Sequence, residues 1–384
     1  MYKVLCIKHH EYMKIALDIS QIVYEGTGVA RFTYHLVKTI LAQDTGHTWT
    51  FFFSSLKLNL NVDIETEIHA SKHNLIRWYI PPRLLSTLWN QTLWRDYAPI
   101  PGKFDLFISS DWTQPPTKIA KKRATIVHDL AFKKVPETVD PLIITTQSKR
   151  LANVVRECQM IWCDSKSTAT DLKECYPGIA DTIVEVNYPG IVAPKPKATK
   201  VFPYIFKPRE FFFAVGKIEP RKNLQRLIEA FLKLIQHPSY AHMHLVIAGP
   251  RGWDNATQAL SHPQIHLLGT VSDEELANLY ICARAFVFPS LYEGFGIPPL
   301  EAMALGCPVI LSHVSSLSEI ANADSAYFID PNSVASITDA MKDLIEKPDL
   351  CASLSVAGKI NAARFTYEKY LQNMLKSIDA INSH

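Results

Sequence analysis

Residues 289–311 read PSLYEGFGIPPLEAMALGCPVIL, and their reading organises the rest of the chain. An apolar run from Ala285 to Phe288 leads in and reads as a buried strand. A loop with Glu293, Gly294 and Gly296 follows. Pro298 and Pro299 then stand where a first helical turn tolerates proline, because an N–H there has no partner in any case. Leu300 to Leu305 reads as a small-residue helix stopped by Gly306, and Cys307 to Leu311 as the next strand of a parallel sheet.

Strand, glycine loop and helix N-terminus in succession make an anion site, since unpaired N–H groups and the positive end of the dipole face one point. Glu293 and Glu301 flank it. A carboxylate repels phosphate but accepts hydrogen bonds from hydroxyls. Phosphate beside polyol fits a nucleotide sugar better than ATP. Spacing alone leaves another reading open: an ordinary strand–helix junction with one solvated glutamate in the loop and one on the helix dipole.

The segment EGFGIPPLEAMALGCPVI resembles the Glu-x7-Glu signature of glycosyltransferase family 4, retaining enzymes of the GT-B fold. The resemblance implies that Glu301 holds the ribose hydroxyls of the donor nucleotide and that Glu293 contacts the transferred sugar. Gly294, Phe295, Gly296 and Ile297 would line the donor.

A length of 384 residues favours two domains. With 47% hydrophobic and 20% charged residues the chain can bury two cores, and a net charge of +3 is too small to argue for nucleic acid. Residues 1–200 carry 25 Lys/Arg against 19 Asp/Glu, the remainder 15 against 18. A mildly basic first half is compatible with peripheral contact at an anionic membrane face, and equally with chance. The seven cysteines are odd in number and form no Cys-x-x-Cys pair, which points to a reducing compartment and no structural zinc. No stretch approaches the ~20 apolar residues of a membrane span, and no signal peptide is visible. A cytoplasmic protein, peripheral at most to the inner face of the plasma membrane, is expected.

From the start, KIALDIS after Met13 reads as the first strand of an α/β domain, with the residues before it either dispensable or a short extra strand. Gly26 and Gly28 form a loop ahead of a helix from Val29 to Leu41. In the family this loop faces the donor diphosphate, which makes Gly28 a site candidate. Arg31, in the first turn, reads as a surface arginine that could alternatively touch donor or acceptor. TWTFFFSS (48–55) is a second strand. Across 76–100 Trp78, Trp89 and Trp94 interleave with Arg77, Arg83 and Arg95; an amphipathic helix whose tryptophans fill the core is preferred over a lipid or glycan surface.

FDLFISS (104–110) and ATIVHDLAF (124–132) read as parallel strands with His128 and Asp129 at the end of the second, where open α/β sheets gather ligands. TIVHDL also resembles the family's His-Asp motif, which implies a histidine beside the transferred sugar. Asp111, at a similar strand end, and Asp129 are weaker candidates for the acceptor. QMIWCD (159–164) is a further strand, followed by a helix capped at Ser165 or Ser167, and residues 194–200 have the Pro/Lys-rich composition of a linker.

The second half restarts with a strand from Phe211 to Val215, Gly216, the cations Lys217, Arg221 and Lys222, and a helix from Leu224 to Ile235. GKIEPRKN resembles the family's Gly-Arg-x-x-x-x-Lys donor-phosphate motif. Lys217 stands in the arginine's place, keeping the charge but losing the bidentate fork, and Lys222 in the lysine's. Backbone around Thr270 and Val271 is expected against the nucleobase. The helix after Arg364 resembles the family's terminal helix that crosses back to the first domain, with Tyr367 where tryptophan is common.

The expected architecture is α/β, two Rossmann-like domains facing across a cleft: 1–200 on the acceptor side, 201–364 on the donor side, and 365–384 packing back. The expected activity is retaining transfer of a hexose, first mannose from GDP-mannose, to a glycan or lipid-linked acceptor. No Asp-x-Asp occurs, so fixed cations are expected to replace a metal and no cofactor is needed. Glu293, His128 and Lys222 are the catalytic candidates; Lys217, Lys222, Gly28, Glu301, Val271 and the 294–297 loop are the donor set. A nucleotide-sugar epimerase or a non-catalytic subunit of a polysaccharide complex are the rival classes.

Overall fold

Apolar strand runs that alternate with amphipathic helices bury both strand faces only in parallel sheets covered by helices on each side. The computed structural model, which describes residues 12–24, 26–90, 103–179, 184–196, 207–252 and 262–382, contains two such sheets. The first comprises β1 (Lys14–Asp18), β2 (Thr48–Ser54), β3 (Asn74–Trp78), β4 (Phe104–Ser109), β5 (Ala120–Val127), β6 (Met160–Cys163) and β7 (Val184–Val186). Its order is β3-β2-β1-β4-β5-β6-β7. The second comprises β8 (Phe211–Val215), β9 (His244–Ala248), β10 (Ile265–Gly269), β11 (Ala285–Phe288), β12 (Val309–Ser312) and β13 (Tyr327–Ile329), ordered β10-β9-β8-β11-β12-β13. All described pairings are parallel.

In each sheet the winding reverses direction next to its first strand, between β1 and β4 and between β8 and β11. Ligand crevices form outside the carboxyl ends of strands at such reversals. The loops after β1, β5, β8 and β11 carry Gly28, His128, Lys222 and Glu293.

Three local expectations need correction. The 76–100 stretch is not one helix: Trp78 ends β3, and the helix runs only over Pro82–Asn90. A strand was hidden there because it is only five residues long, and none of the five is fully buried. Trp89 does fill the core, its ring centroid 5.6 Å from that of Phe52, while Trp94 and Arg95 lie outside the described residues. The 124–132 strand ends at Val127, and a turn of helix, Ala131–Lys134, takes over. The helix after the glutamate loop runs over Ile297–Ala304 and not Leu300 to Leu305, with both prolines in its first turn as expected.

The chain crosses between domains twice, and the crossings touch. Gly190 packs so tightly against the backbone of Thr366 and Tyr367 that an added Cβ would lie 2.3 Å from the Tyr367 nitrogen. Beyond it the terminal helix, Tyr367–Asn382, drives Tyr370, Leu371, Met374 and Ile378 into the core of the first sheet beside Ile15, Phe32 and Trp162. Leu371 is wholly buried there. Leu371→Ala should therefore destabilise the first domain by about 2–5 kcal/mol, read as a lowered urea midpoint. A loss within error would show that the helix is undocked in solution.

Candidate functional site

Strand β11 delivers Glu293 to a buried position, 8% exposed, where a carboxylate stays charged only if paired. The loop after β8 supplies two partners. Lys222 Nζ donates to one carboxylate oxygen at 2.6 Å, and Arg221 Nη1 to the other at 2.7 Å. Burial pushes the Glu293 carboxyl up, but the two cations win and hold it down at about 2. Glu293 is thus anionic throughout the working pH range. Arg221 is itself fixed by Glu219 at 2.7 Å and by the Tyr292 carbonyl at 2.9 Å. Lys222 also lies 4.8 Å above the Phe288 ring, a cation–π contact. Asn223, in the left-handed region at φ 58°, ties the two loops together by donating to the carbonyls of Pro289 and Pro331.

Beyond Glu293 the backbone turns toward the first domain. A Cβ on Gly294 would lie 1.9 Å from the His128 carbonyl oxygen, so only glycine lets the β11 loop rest on the end of β5. Gly296 begins the Ile297–Ala304 helix at φ 119°, a conformation other residues rarely adopt. Pro298 and Pro299 carry no N–H, so the donors at this helix start are few and centred on Gly296 and Ile297. Ile297 faces Gly28, whose Cβ would lie 4.0 Å from the Ile297 side chain. The two glycine loops therefore meet across the cleft. Phe295 points the other way, 5% exposed, into a cluster with Tyr188 and Phe365; only its backbone borders the loop.

His128 follows β5 and is gripped through Nδ1 by Asp164 at 2.7 Å. Burial opposes its charge, yet Asp164, with Asp111 and Asp129 nearby, raises it to about 9. His128 lines a small cavity in the first domain with Asp18, Gln21, Ser110 and Asp111. Asp111 is held by the fully buried Arg150 at 3.2 Å, and burial raises its carboxyl. Asp129 spends one oxygen on the Ala131 N–H at 2.9 Å, capping the helical turn that follows.

Glu301 lies one turn into the Ile297–Ala304 helix, 3% exposed. Its partners are Arg31 of the first domain at 3.2 Å and the Tyr280 hydroxyl at 3.5 Å. Burial raises its carboxyl to about 7 despite Arg31. Lys217 is exposed, its stem beside Gly252, and Val271 packs half-buried against the core of the second domain. Among the described residues no trio of His, Cys, Asp or Glu side chains is disposed to cage a metal ion.

Further residues act here that the sequence reading left without a role. Asp164 orients His128; its place at the end of an apolar strand was the available signal. Tyr292 donates to Asp171 across the interface at 2.7 Å, and Glu319 accepts from the Lys166 and Ser167 N–H groups at 2.8 and 2.6 Å. Nothing in the local sequence announces the last two, because they exist only once the domains dock.

The His128–Asp164 pair gives a pH signature. Its stability contribution is full below the unfolded histidine value of 6.5 and fades as pH rises through about 9. Asp164→Asn should flatten that slope and lower the His128 value measured by NMR, because burial is then opposed only by the more distant Asp111 and Asp129. An unchanged titration would sink the pairing. Gly294→Ala should cut activity by disturbing the contact of the β11 loop with His128, with its thermal midpoint and rate measured together.

Residues 197–361 match the family model described as group 1 glycosyl transferases. The chain is 26% identical over 380 residues to O-antigen chain mannosyltransferase B of Escherichia coli, covering 93% of this chain and 97% of that protein. It is 33% identical over 144 residues to O-antigen chain mannosyltransferase RfbU of Salmonella typhimurium, 36% of this chain and 39% of the other. The fold is similar to that of Anabaena HepE, solved with UDP and glucose, at a TM-score of 0.66 and 16% identity over 96% of this chain and all of that one. With the glutamate loop, its two cations and the facing glycine loops in place, the chain has the two Rossmann-like domains of the GT-B fold, and its second domain matches the group 1 glycosyl transferases.

Proposed function

We propose that the protein moves a hexose, in the first instance mannose from GDP-mannose, onto a glycan or lipid-linked acceptor, with retention at the anomeric carbon and without a metal. The observation that carries this reading is the convergence of Lys222 and Arg221 on Glu293 beside two opposed glycine loops. Expelling a nucleoside diphosphate concentrates charge on the leaving phosphate, and preorganised cations and N–H groups aimed there lower the barrier most. Lys222, with the exposed Lys217 and the Gly296 and Ile297 N–H groups, is assigned that task. The similarity to O-antigen mannosyltransferases supports mannose.

In this reading Glu293 is a fixed anion that orients sugar hydroxyls and holds Lys222 in register. A carboxyl held at about 2 is a poor base, and two cations already occupy it. His128, pinned through Nδ1, offers Nε2–H to the sugar as a charge-assisted donor. Glu301 accepts from the ribose hydroxyls. Retention rests on the family resemblance. No helix among the described residues is long and apolar enough to cross a membrane, and in this reading contact with the inner face of the plasma membrane is at most peripheral.

The test supplies GDP-mannose and UDP-, ADP- and dTDP-sugars, with and without glycan or lipid-linked acceptors and with and without EDTA. Nucleoside diphosphate release and glycan product are measured. Transfer from GDP-mannose, insensitive to EDTA and lowered about 100-fold or more by Lys222→Ala, is the expected result. Sugar isomerised without acceptor would make the protein an epimerase. Dependence on a divalent ion would overturn the fixed-cation mechanism, and absence of nucleotide binding would favour a non-catalytic subunit.

A further inference from the structure

Arg31 and Glu301 belong to different domains, yet they form an ion pair at 3.2 Å inside the cleft. Arg31 stands in the first turn of the Gly28–Ala42 helix, and Glu301 one turn into the Ile297–Ala304 helix. Because Gly28 already faces Ile297, the two helix starts lie side by side, and the arginine reaches across to the carboxylate. Its other guanidinium nitrogen is 3.7 Å from Asp273, which is largely exposed. One turn further along the same helix His35 is held neutral, down at about 4, by burial and by Arg31 itself, so it does not compete for Glu301.

The pairing has a consequence for ligands. On the proposed function, Glu301 must accept hydrogen bonds from ribose hydroxyls, and the guanidinium occupies one of the two oxygens it would use. A nucleoside entering the site has to break the Arg31–Glu301 pair, and two neutral hydroxyls do not replace the lost charge partner of a buried carboxylate. A nucleoside diphosphate breaks the same pair but brings its own anion. That anion belongs beside Gly28, one helical turn from Arg31, so the released guanidinium gains a bidentate partner.

We propose that Arg31 is the residue by which this site discriminates nucleoside diphosphates from bare nucleosides: it covers Glu301 in the free enzyme and exchanges that carboxylate for the donor's diphosphate when the ribose takes its place. The cleft is thereby closed to ligands that carry a base and ribose without the phosphates, and a donor that carries both opens it. The role rests on the reading of Glu301 as the ribose acceptor, and the test keeps the two apart.

The experiment is calorimetric titration of the full-length protein with guanosine, GMP and GDP, and with uridine, UMP and UDP, on wild type, Arg31→Met, Arg31→Lys and Glu301→Gln. Thermal midpoints run alongside to confirm folding. Arg31→Met should bind the nucleoside about tenfold tighter and the diphosphate about tenfold weaker, a tenfold change being 1.4 kcal/mol. The preference for diphosphate over nucleoside thus falls about 100-fold. Arg31→Lys, which keeps the charge, should recover part of that preference. If Arg31→Met shifts every ligand by the same factor, or none, the exchange role is wrong, even where Glu301→Gln weakens the nucleoside. If Glu301→Gln leaves nucleoside affinity untouched, or no nucleoside or nucleotide binds wild type, the reading of Glu301 falls and takes this role with it.

Discussion

A carboxylate carried into the interior at the end of β11 is the constraint around which the site is built. Glu293 is buried by the sheet that carries it, and a buried anion left alone would neutralise itself by taking up a proton. Two cations from the neighbouring β8 loop prevent that. Their presence then requires the rest: Glu219 to hold Arg221, the Phe288 face to seat Lys222, Asn223 to fix the loop to the carbonyls of Pro289 and Pro331. The cluster is self-consistent without a ligand. Preorganisation of this kind is where electrostatic catalysis has its advantage, since the reorganisation is done during folding.

The two glutamates of the signature have opposite electrostatics, although eight positions of one sequence separate them. Glu293 is drawn down to about 2 by cations of its own domain, whereas Glu301 is raised to about 7 by burial that one arginine from the other domain only partly offsets. One remains charged at every relevant pH. The other titrates near neutrality, and its state depends on whether the domains are together. The charge partners of the first thus lie within one domain, whereas that of the second is supplied across the interface.

Much of this was legible before any coordinates. The alternation of apolar strands and amphipathic helices fixes the α/β class, and elements such as Phe211–Val215, Leu224–Ile235 and Ala285–Phe288 fall on the residues expected. The glycine loop with its glutamates and the Lys222 loop were readable because each is a local pattern of strand end, glycine and helix start. What sequence could not supply is whatever arises between segments distant along the chain. Arg31 looked like an ordinary surface arginine, and only the docked domains give it Glu301. Gly294 read as part of a phosphate cradle, but its tightest constraint is the backbone of His128 pressed against it. Strand β3 was missed for a different reason: one exposed and four half-buried residues next to a proline pair give almost no periodic signal.

The terminal helix carries an implication for how the chain is made. Tyr370, Leu371, Met374 and Ile378 complete the interior of a domain whose other strands were synthesised at the beginning. Domains generally fold as units in the order they leave the ribosome, the N-terminal one first. Here that order is inverted in part: the described strands of the second domain are complete by residue 329, while the first still lacks a side of its core. A nascent chain released early, or a message truncated near its end, would therefore expose apolar surface on the domain whose own sequence is intact. Damage at the last codons should be felt first at the opposite end of the protein, as aggregation of newly made chains.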